Sequence, residues 1–149
     1  MELNWTYKLF DDLNKAELYS ILQLRIEVFA VEQNCPYQDL DNKDQRSFHL
    51  CGWDGNNLAA YCRLLPAGLS YDHPSIGRVV TALAYRKSGY GKEMMELAIT
   101  KCLLQFNDPV IIIGAQLYLK AFYESLGFVQ KSEMYLEDNI PHIKMQRTA

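Results

Sequence analysis

The stretch Arg86-Lys87-Ser88-Gly89-Tyr90-Gly91 decides how this chain is read. It separates a β-like run, Ile76 to Leu83, from a segment with helical spacing, Tyr90 to Phe106. Two glycines at a strand-to-helix junction let backbone N–H groups converge on a ligand with no side chain in the way. The first turn of the helix adds unpaired N–H donors and a partial positive charge. Arg86, Lys87 and Lys92 add full charges. The junction therefore predicts a cradle for a phosphate or pyrophosphate.

Working outward, 149 residues suit one domain over 1–149 with a sizeable core. The apolar share of 49% and charged share of 22% are ordinary for a globular protein. A net charge of −3 lacks the basic footprint of a general nucleic-acid binder. No apolar run approaches the ~20 residues of a membrane helix. Met1-Glu2-Leu3-Asn4-Trp5 has no basic start or apolar leader core, so the expected location is cytoplasmic. Cys35, Cys51, Cys62 and Cys102 form no C-x-x-C pair, and His49, His73 and His142 do not cluster with them. Buried free thiols are expected, with no metal and no disulfide framework.

Asn4 to Phe10 alternates, with Trp5, Tyr7 and Leu9 on one face, and predicts a strand. Asn14 and Glu17 form a capping-box pattern before a helix carrying Leu18, Ile21, Leu22, Arg25, Val28 and Phe29. Residues 34–47 predict a long loop. Phe48 to Trp53 and Leu58 to Leu65 predict a hairpin around Asp54-Gly55-Asn56-Asn57. In the helix after the glycine loop, Met94, Leu97, Ala98, Lys101 and Leu104/Gln105 share the expected inner face, with Lys101 its polar exception. Val110 to Ile113 reads as a central strand. Leu117 to Leu126 reads as a shorter helix closed by Gly127. Phe128 to Leu136 and Ile143 to Gln146 read as a final strand pair. The order β-α-β-β-β-α-β-α-β-β gives an α/β (α+β) domain.

Two nucleotide readings of the loop fail. No Gly-x4-Gly-Lys-Ser/Thr pattern occurs, and after Gly89 and Gly91 the third position of a G-x-G-x-x-G fingerprint is Met94. Arg/Gln-x-x-Gly-x-Gly/Ala after a strand instead resembles the pyrophosphate loop of the GNAT superfamily of N-acetyltransferases. At suitable spacing follows Ala121-Phe122-Tyr123-Glu124-Ser125-Leu126-Gly127-Phe128, which resembles the end of that superfamily's fourth helix. Leu22-Gln23-Leu24-Arg25, Val28-Phe29, Val31-Glu32-Gln33-Asn34-Cys35-Pro36-Tyr37 and Glu137-Asp138-Asn139-Ile140-Pro141-His142 resemble the ElaA-like branch. The resemblance spans nearly the whole chain.

The resemblance implies a mixed central sheet of six to seven strands flanked by about four helices, and acetyl-coenzyme A as co-substrate. It assigns Val79, Val80 and Thr81 to the pantetheine arm, where a backbone amide would polarise the thioester carbonyl. Arg86, Lys87, Ser88, Gly89, Tyr90, Gly91 and Lys92 would hold the pyrophosphate. Gly114-Ala115 would pass close to the pantetheine, and Gln116 stands where many relatives have Asn. Tyr123 matches a general acid that protonates the departing thiolate, a phenol acting on a thiolate of similar basicity. The alternative for Tyr123 is ordinary packing at a helix end. A carboxylate or imidazole could take the proton of an ammonium acceptor, and Glu32, Glu137 and His142 are the candidates. Arg25 and Gln33 are candidates for shaping the acceptor pocket, although an arginine on an apolar helix face also suits a structural ion pair. Cys35 has no neighbouring base in sequence, which disfavours a covalent acyl-cysteine route. The expected acceptor is the primary amine of a small molecule or peptide, attacking directly in a ternary complex. A homodimer is a family-level expectation. The competing function is a non-catalytic acyl-coenzyme A-binding or sensing module that works through a partner.

Overall fold

The fold follows from which strands are covered on two faces and which on one. In the computed structural model, which describes all 149 residues, β1 (Asn4–Leu9), β2 (Phe48–Asp54), β3 (Asn57–Leu65) and β4 (Ser75–Thr81) form one antiparallel sheet in that order. β3 is buried along almost its whole length because helices cover both its faces. With a side-chain period of two, Ala60, Cys62 and Leu64 join the larger core with Met94 and Ala98 of α2 (Tyr90–Phe106). Tyr61 turns the other way, to Ile21 and Leu24 of α1 (Lys15–Ile26).

A second antiparallel sheet holds β5 (Val110–Gln116), β6 (Val129–Gln130), β7 (Tyr135–Glu137) and β8 (Ile140–Thr148). β8 is central, pairing with β5 along one edge and with β6 and β7 along the other. The third helix, α3, is short (Lys120–Glu124) and follows a 3-10 turn at Leu117–Leu119. The expected mixed α/β fold is observed, with eight strands in two antiparallel sheets where six to seven were expected, and three α-helices where about four were expected. The expected strand Phe128–Leu136 splits into β6 and β7. A two-residue turn, with Asp138 and Asn139 both at positive φ, joins β7 to β8.

The capping box at α1 forms as expected: Glu17 N–H donates to Asn14 Oδ1 (2.7 Å) and Asn14 N–H to Glu17 Oε1 (2.8 Å). The helix then widens into a π turn over Glu27–Glu32, where Gln33 N–H reaches Val28 C=O and Cys35 N–H reaches Ala30 C=O. The buried stripe of α2 is Met94, Met95, Ala98, Ile99 and Cys102, and Leu104 is 79% exposed. The expected face was therefore rotated from the real one. Lys101 lies at the edge of the buried stripe, its ammonium 4.7 Å from the Tyr7 ring centroid.

Residues 37–44 are pinned by charge. Arg25, fully buried, donates from Nε to Asp39 Oδ2 (2.9 Å) and from Nη1 to Asp44 Oδ1 (2.7 Å). Arg63 on β3 donates to the same Asp44 oxygen (2.8 Å) and to Asp41. Arg78 on β4 reaches Asp39 and Asp41. Three arginines and three aspartates thus tie one loop to α1, β3 and β4. Burial alone would raise the Asp44 carboxyl, but the hydrogen bond and charge of Arg25, then of Arg63, outweigh it and hold it low. For Asp41, Arg63 and then Arg78 likewise outweigh burial.

Carboxyls held low when folded contribute stability that is complete above about pH 4 and lost as pH falls through their folded values. Removing one partner of a buried network leaves charge uncompensated. Asp44→Asn should therefore cost about 3–5 kcal/mol in urea unfolding at pH 7. It should also flatten the loss of stability below about pH 4. A cost below ~1 kcal/mol with an unchanged acid limb would contradict the role given to this network.

Candidate active site

β4 and β5 lie side by side but share no ladder. Ile112 N–H donates to Pro74 C=O at 3.0 Å, and no ladder continues from there. A cleft of about 910 Å³ opens between the two strands. Val79, Val80 and Thr81 line one wall, Ile113, Gly114 and Gln116 the other, and the π turn contributes Glu32 and Gln33.

At one end lies the glycine loop. Gly89 caps α2 with φ +81 and Lys87 has φ +65. Among the backbone hydrogen bonds, no N–H from Lys87 to Lys92 donates to a protein acceptor. Six consecutive donors at an exposed helix start fit a pyrophosphate cradle. Arg86 and Gly91 line the cleft itself, whereas Lys87, Ser88, Gly89, Tyr90 and Lys92 form the rim beyond it. The Tyr90 hydroxyl turns away to Met1 C=O (3.2 Å). Arg86 is not a free cation: its Nη atoms make a bidentate pair with Glu32 (2.8 and 3.0 Å), and its Nε donates to Thr81 C=O (3.0 Å). It braces the loop against the π turn.

Tyr123 lines the cleft, 5% exposed, its ring packed edge-on against Phe122 and Phe128. Burial, with the nearby Cys62 thiol as a smaller cause, pushes its phenol well above the ordinary value. The close match of phenol and thiol acidity expected from sequence therefore does not hold. Tyr123 keeps its proton throughout the neutral range.

The other end carries His142, buried, with Nδ1 2.7 Å from Ile140 C=O. That carbonyl can only accept, so Nδ1 holds a proton and Nε2 is left for the cleft. Glu137 Oε2 stands 3.4 Å from Nε2, and Tyr135 stacks on the ring. The Gln33 and Gln116 side-chain amides face each other at 3.4–3.5 Å, linking the π turn to β5. The cleft thus brings together Tyr123, His142, Glu137, Glu32, Gln33 and Gln116. It leaves out Arg25, which is saturated by Asp39 and Asp44; the pocket-shaping role considered for it is corrected to a structural one.

Sequence reasoning missed Arg78, Tyr71 and Tyr135. A side chain at Gly114 would meet the hydroxyls of Tyr71 (3.0 Å) and Tyr135 (3.2 Å), so these tyrosines, too, demand a small residue there. Burial, then Tyr135 and Glu137, push Tyr71 up to about 12. The one sequence signal for Arg78 was a charge inside an otherwise apolar strand. No group of three or more His, Cys, Asp or Glu side chains could hold a metal ion, and all four cysteines are buried and free. No helix is long and apolar enough to cross a membrane.

The two loop glycines should separate backbone strain from ligand access. A Cβ at Gly89 meets nothing within 4 Å, but its φ disfavours any other residue. Gly89→Ala should cost ~1 kcal/mol, or a melting temperature lower by roughly 2–4 °C. A Cβ at Gly91 lies 3.6 Å from Thr81 Oγ1, an ordinary contact. Gly91→Ala should keep its stability and weaken coenzyme A binding in a titration. Unchanged affinity in both variants would remove the loop from the site.

The same fold is found in known proteins. The chain matches the family model of the acetyltransferase (GNAT) domain over residues 13–149. It is 40% identical to protein ElaA of Escherichia coli over 147 residues, covering 97% of this chain and 96% of that one. The crystal structure of Escherichia coli ElaA matches with a TM-score of 0.91 at 39% identity, covering 97% and 99% of the two chains. That of an acyl-CoA N-acyltransferase from Pseudomonas aeruginosa matches with a TM-score of 0.93 at 44% identity, covering 98% and 99%. With one sequence model spanning most of the chain and full-length relatives near 40% identity, the chain belongs to the GNAT acetyltransferase family, and its resemblance to the ElaA-like branch holds along its length.

Proposed function

We propose that the protein moves an acetyl group from acetyl-coenzyme A to a primary amine of a small molecule or peptide, by direct attack with both substrates bound. The observation that carries this reading is the Tyr123 hydroxyl in the same cleft that ends at the six free N–H donors of residues 87–92. Acetyl-coenzyme A would supply the activated acyl group, a thioester.

The chain's own residues account for the rest. The N–H groups of Lys87 to Lys92 bind the pyrophosphate, with Lys87 and Lys92 adding charge at the rim. A backbone N–H in the run Val79 to Thr81 donates to the acyl oxygen as charge develops on it. Tyr123 donates a hydrogen bond to the sulfur. Its raised pKa makes full transfer of the proton unfavourable until the carbon–sulfur bond is breaking, so it acts late.

Of the three candidates for the base, His142 fits best. Its Nε2 has no backbone partner, its Nδ1–H is held by Ile140 C=O, and the Glu137 carboxylate 3.4 Å from Nε2 would stabilise the imidazolium once the proton is taken. Glu32 is a poorer candidate, because both its oxygens are held by Arg86. His142 would take one proton from the incoming ammonium and pass it to solvent; Tyr123 would give its own proton to the departing sulfur and regain one from the acetylated nitrogen, which sheds its second proton as the amide forms. Glu137 and Asp138 at the open end favour a cationic acceptor.

Release of free coenzyme A thiol across a panel of small amines, polyamines and peptides tests the reaction. Tyr123→Phe should lower kcat by ~10²-fold or more while leaving acetyl-coenzyme A affinity nearly intact. An unchanged kcat across pH would remove Tyr123 from the chemistry. Binding of acetyl-coenzyme A without turnover on the panel would favour the non-catalytic module. In thermal unfolding, acetyl-coenzyme A at ~100 times its Kd should add ~2.7 kcal/mol. A response to ATP or NAD with none to acetyl-coenzyme A would overturn the assignment.

A further inference from the structure

Seven non-glycine residues have positive φ, and Arg78 (φ +50) is the only one inside a strand. Five of the others are Asn or Asp, which tolerate this conformation, and the sixth is Lys87 of the glycine loop. A long side chain persists there only where its surroundings over-determine it. The pairing of β3 with β4 shows what the conformation produces. Arg63 pairs with Gly77 and Tyr61 with Val80, so the single residue Cys62 stands opposite both Arg78 and Val79. This is a β-bulge, which takes backbone groups at 78–79 out of the ladder. It lies on the wall of the cleft, immediately before Val80 and Thr81.

The restraint on Arg78 is its guanidinium. Nε donates to Asp39 Oδ1 (2.9 Å), and Nη2 donates to Asp39 C=O (3.0 Å) and Asp41 Oδ2 (3.3 Å). The group also lies 5.7 Å from the Tyr37 ring centroid. The anchor cannot drift: Asp39 is 1% exposed and gripped by Arg25, and Asp41 is held by Arg63. A charge already committed to two aspartates is poorly suited to reading a substrate, and well suited to holding its own backbone.

We infer that Arg78 is a positioning residue, whose anchorage to Asp39 and Asp41 holds the β4 bulge in the shape that presents a backbone N–H of Val79 to Thr81 to the acyl carbonyl. The inference rests on the acetyl-transfer reading and adds to it a role for the ion-pair network. The buried charges serve the cleft through one strained residue.

Alanine and glycine at this position separate backbone positioning from every other role. Both lose the anchor, but only glycine adopts positive φ without penalty. Carbonyl-13C acetyl-coenzyme A is bound to wild type, Arg78→Ala and Arg78→Gly, and the thioester carbonyl stretch is read by isotope-edited infrared difference alongside Kd and melting temperature. In the wild type the stretch should be lowered relative to free ligand. In Arg78→Ala it should return towards the free value with Kd nearly unchanged, and in Arg78→Gly most of the lowering should be regained. Melting temperatures should fall in the order wild type, Arg78→Gly, Arg78→Ala, which tests the backbone role even if the alanine variant is too unstable for ligand work. A wild-type stretch in Arg78→Ala, equal loss in both variants, or alanine melting at or above glycine would overturn the inference. Binding to the wild type with an unshifted carbonyl would overturn it alone, leaving the donor assignment standing. No binding of acetyl-coenzyme A to the wild type would overturn the acetyl-transfer reading beneath it.

Discussion

β5 has a hydrogen-bonded partner on one edge only, and the edge it turns towards β4 is left open after a single bond from Ile112 to Pro74. Two strand edges in the middle of a protein would ordinarily close on each other, because unpaired backbone groups are costly to bury. Here they remain apart, and the space between them is the cleft. The rest of the molecule is arranged around that interruption. α1 and α2 cover opposite faces of the first sheet, α3 places Tyr123 in the gap, and the β7–β8 turn brings Glu137 and His142 to its far end.

Polar contacts that cross between elements frame the cleft. Glu32–Arg86 joins the π turn to the glycine loop, Gln33–Gln116 joins it to β5, and the Arg25–Arg63–Arg78 network fixes the loop flanking β4. Exposed pairs of this kind contribute little individually. The buried network is different in kind, because each of its charges depends on another remaining in place. Its effect on the cleft is geometric: it fixes where β4 bends.

What the sequence revealed divides along the same line. The glycine loop and the block around Tyr123 were legible because their chemistry is local: glycines, a helix start and clustered charge lie within a few residues. The Asn14–Glu17 capping box was legible for that reason too. The inner face of α2 was misjudged because Met94, Met95, Leu97, Ile99 and Leu103 leave apolar residues on nearly every side, and the position of the sheet selects among them. Arg25 could be read as a ligand contact or an ion pair, since its partners, Asp39 and Asp44, lie 14 and 19 residues away. The splay of β4 from β5 had no sequence signature, as each strand reads alone as an ordinary buried segment. The pKa of Tyr123 was likewise hidden, because burial is a property of the packed cleft.

On this reading the gap between β4 and β5 receives the donor with its thioester beside Tyr123. A crystal structure of the complex with coenzyme A measures this through one distance, from the ligand sulfur to the Tyr123 hydroxyl. The expected distance is hydrogen-bonding reach, roughly 3–3.5 Å, with the pyrophosphate on the N–H groups of residues 87–92. A sulfur lying well beyond that reach, or a pyrophosphate bound away from the glycine loop, would contradict it.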